Sequence, residues 1–273
     1  MAARFWVGGS GTWNASNTAN WSATTGGAGG ASVPTGTDTV TVDSTSGSGT
    51  ITVNTNFAVV SVGVSASAIT MDFTANNNSP FFGSFVFTAG TLLMGSGTFT
   101  ATSTGSIFNF QGATLNSGDS TIVLTNTSNS AVNVLLSGTQ VLNRVLFNRG
   151  ASTGANGFTI TSGGSPTVNQ LTDIGTSAHT LQFQGLRSIT VGNLFVRGSA
   201  GNLITIQSTS ASAANLGKSP NGIVSLDYIN INATNPVNVA SNTFYLGANS
   251  TGSGGNWVFT PPPARKLGAS GAG

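Results

Sequence analysis

Short segments in which apolar and polar residues alternate recur along almost the whole chain, each closed by a cluster of Gly, Ser, Thr, Asn or Pro. The stretch GNLITIQSTSASAANLGKSPNGIVSLDYINI, Gly201–Ile231, states the pattern most plainly. Ile204 and Ile206 alternate with Thr205 and Gln207, and Val224, Leu226 and Tyr228 alternate with Ser225 and Asp227. Successive side chains of a strand point to opposite faces, so each segment offers one apolar face and one wet face. A Ser/Ala/Asn-rich connection carrying the turn signal Pro220-Asn221-Gly222 separates them. The stretch reads as strand, polar turn, strand.

The same unit returns at Val40/Val42, Ile51/Val53, Val60/Val62/Val64, Ile69/Met71/Phe73, Phe85/Phe87, Phe108/Phe110, Ile122/Leu124, Val132/Val134, Val145/Phe147, Phe158/Ile160, Leu181/Phe183 and Ile189/Val191. Turn residues intervene at roughly 8–14 positions, which is the signature of an all-β chain. No sustained i, i+3, i+4, i+7 pattern argues for a helix longer than a turn or two. A sandwich, a barrel and a solenoid of stacked parallel rungs all satisfy this. Sandwiches and barrels rely on hairpins, which favour Asn-Gly or Asp-Gly turns, and Asn156-Gly157 and Asn221-Gly222 are the only such pairs. A solenoid tolerates irregular corners such as Asn126–Ser130 and Ser208–Ala214. The expected fold is a single-stranded right-handed parallel β-helix, with a β-sandwich as the alternative.

Three regions divide the chain. Residues 1–36 carry Trp6, Trp13 and Trp21 among Gly, Ser and Asn, and read as an aromatic cap or anchor that covers the open end of the stack. Residues 37–259 form the β-helical body. Residues 260–273 begin with Pro261–Pro263, which forbid further ladder pairing, and read as a flexible tail. Trp257 is placed to close the body.

Charged residues make up only 5% of the chain, against roughly 25% in ordinary soluble proteins. The surface is therefore hydroxyl and amide. A net charge of +2 without clustered Lys or Arg argues against a nucleic-acid partner. No apolar run approaches a membrane span, and the opening MAARFWVGG lacks the apolar region of a signal peptide. Cysteine is absent, so no disulfide or thiolate metal site is available.

Chemistry-bearing residues are few. There is no Glu, and the six Asp are Asp38, Asp43, Asp72, Asp119, Asp173 and Asp227. Glycan-cleaving sites need two carboxylates about 5–9 Å apart. Asp38 and Asp43 are separated by an odd number, Asp72 and Asp227 alternate with apolar neighbours and point outward, and Asp119 reads as a turn residue. His179, the sole histidine, reads as an ordinary turn or rung-edge residue, with no second His for zinc and no G-x-S-x-G elbow. No catalytic residue, metal ligand or cofactor is expected, and the chain reads as a non-enzyme. Arg144, Arg149, Arg187 and Arg197 read as solvated surface cations, or as partners for an acidic neighbouring subunit. The ring faces of the N-terminal tryptophans, Trp13 and Trp21 above all, are the alternative contact surface, for a host glycan.

The opening FWVGGSGTWNASNTANWSATTGGAGGASVPTGTDTV, together with GNLITIQSTSASAANLGKSPNGIVSLDYINI and GANSTGSGGNWVF, resembles the leader and C-terminal module of a family of β-helical structural proteins of tailed bacteriophages. The resemblance covers roughly the first 43 and the last 80 residues. It implies a virion protein on head or tail (a surface spike, decoration or tail component), self-associating as a homotrimer and contacting other virion proteins. Assembly in the host cytoplasm agrees with the missing signal peptide. A host-glycan-binding adhesin is the alternative, and a polysaccharide-degrading tailspike the third.

Overall fold

Each alternating segment forms a short strand, and each strand pairs in parallel with a segment further along rather than folding back on its neighbour. Val123 pairs with Leu146, Leu146 with Thr172, and Thr172 with Phe195, all in parallel ladders. Repeating this step winds the chain into a right-handed parallel β-helix of about nine turns, the hand that parallel crossovers adopt. The computed structural model that shows this describes residues 1–259 except 162 and 242. Among the described residues the one helical element is a single 3₁₀ turn at Ser44–Ser46, capped by the Asp43 carboxylate.

A turn of the mature solenoid has three faces. Face A stacks Thr98–Ala101, Thr121–Leu124, the later halves of Val141–Phe147, Thr167–Asp173 and Ser188–Arg197, and Val224–Asp227. Face B stacks Gly105–Asn109, Val132–Leu136, Asn156–Ile160, His179–Phe183, Ile204–Ser208 and Ile229–Ile231. Face C begins with Gly11–Trp13, Gly49–Val53, Ile69–Asp72, Thr91–Leu93 and Thr114–Asn116. It ends with the early part of Ser188–Arg197, then Ala214–Lys218 and Val237–Val239. Long strands such as Ser188–Arg197 bend from face C to face A, so those two faces meet without an intervening loop.

Alternation then places like over like inside. On face B the column Val62, Phe85, Phe108, Val134, Phe158, Phe183 runs along the axis, and all of these side chains are buried. The column on face A runs Phe82, Ala101, Leu124, Phe147, Asp173, Val196, Leu226. Asp173 is the polar exception.

Both described ends are closed by aromatic rings. Ala3–Trp6 pairs in parallel with Thr39–Val42, and Trp21–Ser22 lies antiparallel along its other edge. Pairing the first strand in this way removes a free sheet edge. Residues 1–36 therefore combine two roles, since Ala3–Trp6 and Gly11–Trp13 are strands of the first turn and only the remainder covers it. At the other end Trp257 packs edge-on against Phe244 at 5.3 Å and donates its Nε1–H to the Val237 carbonyl at 2.8 Å. The segment 260–273, with Pro261–Pro263, Arg265 and Lys266, lies outside the described residues.

Two local expectations change. The connection between Gln207 and Ile223 is not a single polar turn, because Ala214–Lys218 within it is a strand of face C. Gly201–Ile231 is thus one complete turn: Ile204 and Ile206 return as Ile229 and Ile231 one level up. Asn156-Gly157 is not a hairpin turn but the start of a face B strand, with Asn156 buried.

Candidate functional site

The three N-terminal tryptophans form one continuous aromatic contact. Trp21 meets Trp6 and Trp13 edge-on at 5.1 and 4.9 Å, and Trp13 stacks on Phe57 at 4.0 Å. All three rings are buried, so they form a lid and offer no open ring face for stacking on a sugar. Trp6 donates to the Gly9 carbonyl at 2.7 Å, whereas the indole N–H groups of Trp13 and Trp21 have no hydrogen-bond partner. An open hollow of about 540 Å³ lies beside this lid, lined by Trp13, Val33, Pro34, Asn56 and Phe57 among others.

The four arginines separate into two kinds. Arg144 and Arg197 are exposed and Arg187 is half-buried, and Arg197 lies 3.9 Å from Asp227. Arg149 is not a surface cation. Its side chain enters the corner between faces A and B and is only 2% exposed, and protein acceptors there replace the water a surface guanidinium would have. Nε donates to the Asn126 carbonyl at 2.8 Å, Nη2 to those of Ser128 and Ser130, and Nη1 to those of Gly154 and Ala155. One planar fork thus ties two successive corners.

The same guanidinium begins a buried polar chain. Arg149 Nη1 donates to Asn156 Oδ1 at 2.8 Å, and Asn156 Nδ2 donates to Asp173 Oδ2 at 2.8 Å. His179 Nε2 lies 3.0 Å from the same Asp173 oxygen, while its Nδ1 lies 2.8 Å from the Ser177 carbonyl. Gly175 N donates to Asp173 Oδ1 at 3.2 Å. His179 is buried at the start of a face B strand, so the rung-edge reading of this residue is corrected. Both ring nitrogens face acceptors, which is the arrangement of an imidazolium. Burial pushes the His179 pKa down, but the hydrogen bond and charge of Asp173 and the Ser177 carbonyl outweigh it and hold it above the ordinary value. Burial likewise lowers the Arg149 pKa, with Asp173 opposing. Sequence reasoning could not assemble these groups, because the pair Arg149 and Asn156 meets the pair Asp173 and His179 only through the stacking of successive turns.

The remaining carboxylates brace turns. Asp38, buried, accepts from the Ala2 amide and from the amide and hydroxyl of Thr35. Asp43 caps the 3₁₀ turn, Asp72 accepts from the amide and hydroxyl of Thr74, and Asp227 accepts from Asn249. Asp119 is exposed in a turn, as its sequence context indicates. Among the described residues no group of three or more His, Cys, Asp or Glu is placed to hold a metal ion.

The outer surfaces differ from face to face. On face A, Phe81, Thr100, Val123, Leu146, Thr172, Phe195 and Ser225 stack in register as an outward stripe. Ile174, 48% exposed, flanks it across a hollow of about 270 Å³ shared with Arg144, Gln170 and Leu146. On face B the polar side chains pair from turn to turn: the Asn232 amide donates to the Gln207 amide oxygen at 2.6 Å and the Asn230 amide to the Thr205 hydroxyl at 3.3 Å. On face C a shallow trough of about 460 Å³ passes over Gly217 between Ser188, Thr190, Asn215 and Asn238. These four side chains make no hydrogen bond to the described residues.

Fold and surface together define a parallel β-solenoid with aromatic caps, a buried ionic brace and nearly uncharged faces. Models of known families, curated proteins and solved structures contain no match to this chain. No described helix is long and apolar enough to cross a membrane.

Proposed function

We propose that this protein is a structural component of a tailed-bacteriophage virion, a rigid β-solenoid that works through packing against its own copies and other virion proteins. The observation that carries this reading is the use made of the ionisable groups. Asp38, Asp43, Asp72, Asp173 and Asp227 each brace a turn or a buried cation, which favours a scaffold over an acid–base catalyst. The face A stripe, in which exposed Phe81 and half-buried Val123, Leu146 and Phe195 stand among hydroxyl residues beside exposed Ile174, supports self-association. The homotrimer, and a position on either head or tail, are what the resemblance of the two terminal modules implies. Immunogold labelling of intact particles and sedimentation equilibrium of the purified chain test the proposal together. Regular labelling and a discrete oligomer are expected. A dilute monomer absent from particles overturns it.

A second reading, host-glycan binding, is favoured by the face C trough. Hydroxyls and amides without protein partners are the groups that recognise uncharged, hydroxyl-rich ligands, and the buried tryptophans do not supply that surface. Retention of the chain on host cells, lost in the Asn215→Ala/Asn238→Ala variant and kept in Trp13→Phe, is its expected outcome.

A further inference from the structure

Three successive corners between faces A and B are joined through one run of buried polar groups. The lowest corner contributes the carbonyls of Asn126, Ser128 and Ser130, the middle one Arg149 and the adjoining Asn156, and the highest Asp173, Gly175, Ser177 and His179. The highest corner is held by backbone bonds from Ile174 to the Phe147 carbonyl and from Thr176 to the Gly150 carbonyl, and by His179 at both ring nitrogens. One reaches across to Asp173 at the end of the face A strand and the other holds the Ser177 carbonyl within the turn. The ring also lies against Gly175, where a side chain would collide with it. A neutral imidazole carries one N–H and can serve only one of these acceptors. The other is then left buried without its donor, at a cost comparable to a lost hydrogen bond.

We propose that the Arg149–Asn156–Asp173–His179 chain is a proton-controlled latch that holds the corner 174–178 closed while His179 is protonated and releases it when the proton leaves. The groups that face the imidazole are few. Among the described residues, Asp173 is the only carboxylate against it and Arg149 the only other cation. The flanking face B strands, Asn156–Ile160 and Ile204–Ser208, contain no titratable residue. Arg149 stays charged through the titration, and through Asn156 its hydrogen-bonded run still ends on Asp173 Oδ2 on one side while the latch opens on the other. The lower two corners remain tied by the guanidinium, and release is confined to the highest corner.

His179 is the sole histidine, so its titration is read without ambiguity in the full chain by ¹⁵N-edited NMR of histidine-labelled protein. The expected midpoint lies above the ordinary value of about 6.5. Hydrogen exchange of the Gly175 and Thr176 amides, normalised to Ile206 and corrected for base catalysis, should accelerate about tenfold across that midpoint. In His179→Gln, which keeps a donor but cannot ionise, the normalised exchange should show no break with pH. A midpoint at or below the ordinary histidine value overturns the proposal. So does normalised exchange that stays flat through the wild-type titration, and that measurement decides the matter even if His179→Gln fails to fold.

Discussion

Asp173 stands directly above Phe147 and below Val196 in an interior column that is otherwise apolar from Phe82 to Leu226. A lone carboxylate there would be strongly unfavourable. It is tolerated because Asn156, Gly175 and His179 occupy its oxygens. Asp173→Leu restores the apolar column but leaves two buried cations without their counter-charge. Breaking one partner of a buried pair typically costs about 3–5 kcal/mol. A drop of that size in urea unfolding is expected, with Asp173→Asn losing less because it keeps part of the hydrogen bonding.

Stability should depend on pH in opposite senses at two sites. The His179 pKa is raised in the fold, so its contribution is complete below the unfolded value of about 6.5 and is lost as pH rises through the folded value. The Asp38 pKa is lowered: burial opposes ionisation, but hydrogen bonds from Thr35 and Ala2 outweigh it. Its contribution is present above the unfolded value and lost as pH falls through the folded one. Urea midpoints measured across pH should therefore fall on the alkaline side in wild type but not in His179→Gln. The acid-side fall should be smaller in Asp38→Asn.

Period-two alternation made the strands legible, because interior positions of every face follow it, and the scarcity of hairpin turn pairs pointed from there to the solenoid. What escaped was any feature defined between turns. The strand Ala214–Lys218 has only Ala214 and Leu216 as apolar inward residues, too weak a signal beside the serines that precede it. Arg149 and His179 look like surface residues in their own segments; Asp173, inside the column, gives His179 its reason to be buried within the same corner, and the carbonyls of Asn126, Ser128 and Ser130 one turn below give Arg149 part of its own. Asn156-Gly157 carries a turn dipeptide, yet the demand of Arg149 and Asp173 for an amide between them places it in a strand.

The two kinds of N-terminal tryptophan should respond differently to Phe. Trp6→Phe removes an indole N–H that bonds Gly9 and leaves that carbonyl unpaired. Trp13→Phe removes an N–H that has no partner. Both lose ring volume, so the difference isolates the hydrogen bond. Trp6→Phe should be the more destabilising by about 1–3 kcal/mol, read as the difference in urea unfolding free energy. Hydrogen exchange should place the weakening in the first turns, since each turn of a solenoid is held by its neighbours.

Corner stacking predicts which glycines tolerate a methyl group. A Cβ at Gly112 would collide with the Thr88 carbonyl of the turn below, whereas one at Gly36 meets nothing within 4 Å and needs no positive φ. Gly112→Ala must separate two turns or shift a backbone and should lower the thermal midpoint by several degrees. Gly36→Ala should leave the midpoint unchanged or raise it, the reduced freedom of the unfolded chain adding up to about 1 kcal/mol of stability.

The contact surface proposed for face A separates association from folding. Phe195 points outward between Thr172 and Ser225 in the stripe, and its interior neighbours Leu194 and Val196 are fully buried. Phe195→Lys therefore leaves the core column intact and should change the stability of a single chain by no more than about 0.5 kcal/mol. A lysine in the stripe puts like charges together wherever two or three copies meet through it, and desolvating them is costly. Sedimentation equilibrium should show the oligomer replaced by monomer, while Gln207→Lys on face B leaves the mass unchanged. Equal dissociation by both variants would place the contact elsewhere, and an unchanged oligomer in Phe195→Lys would remove face A from it altogether.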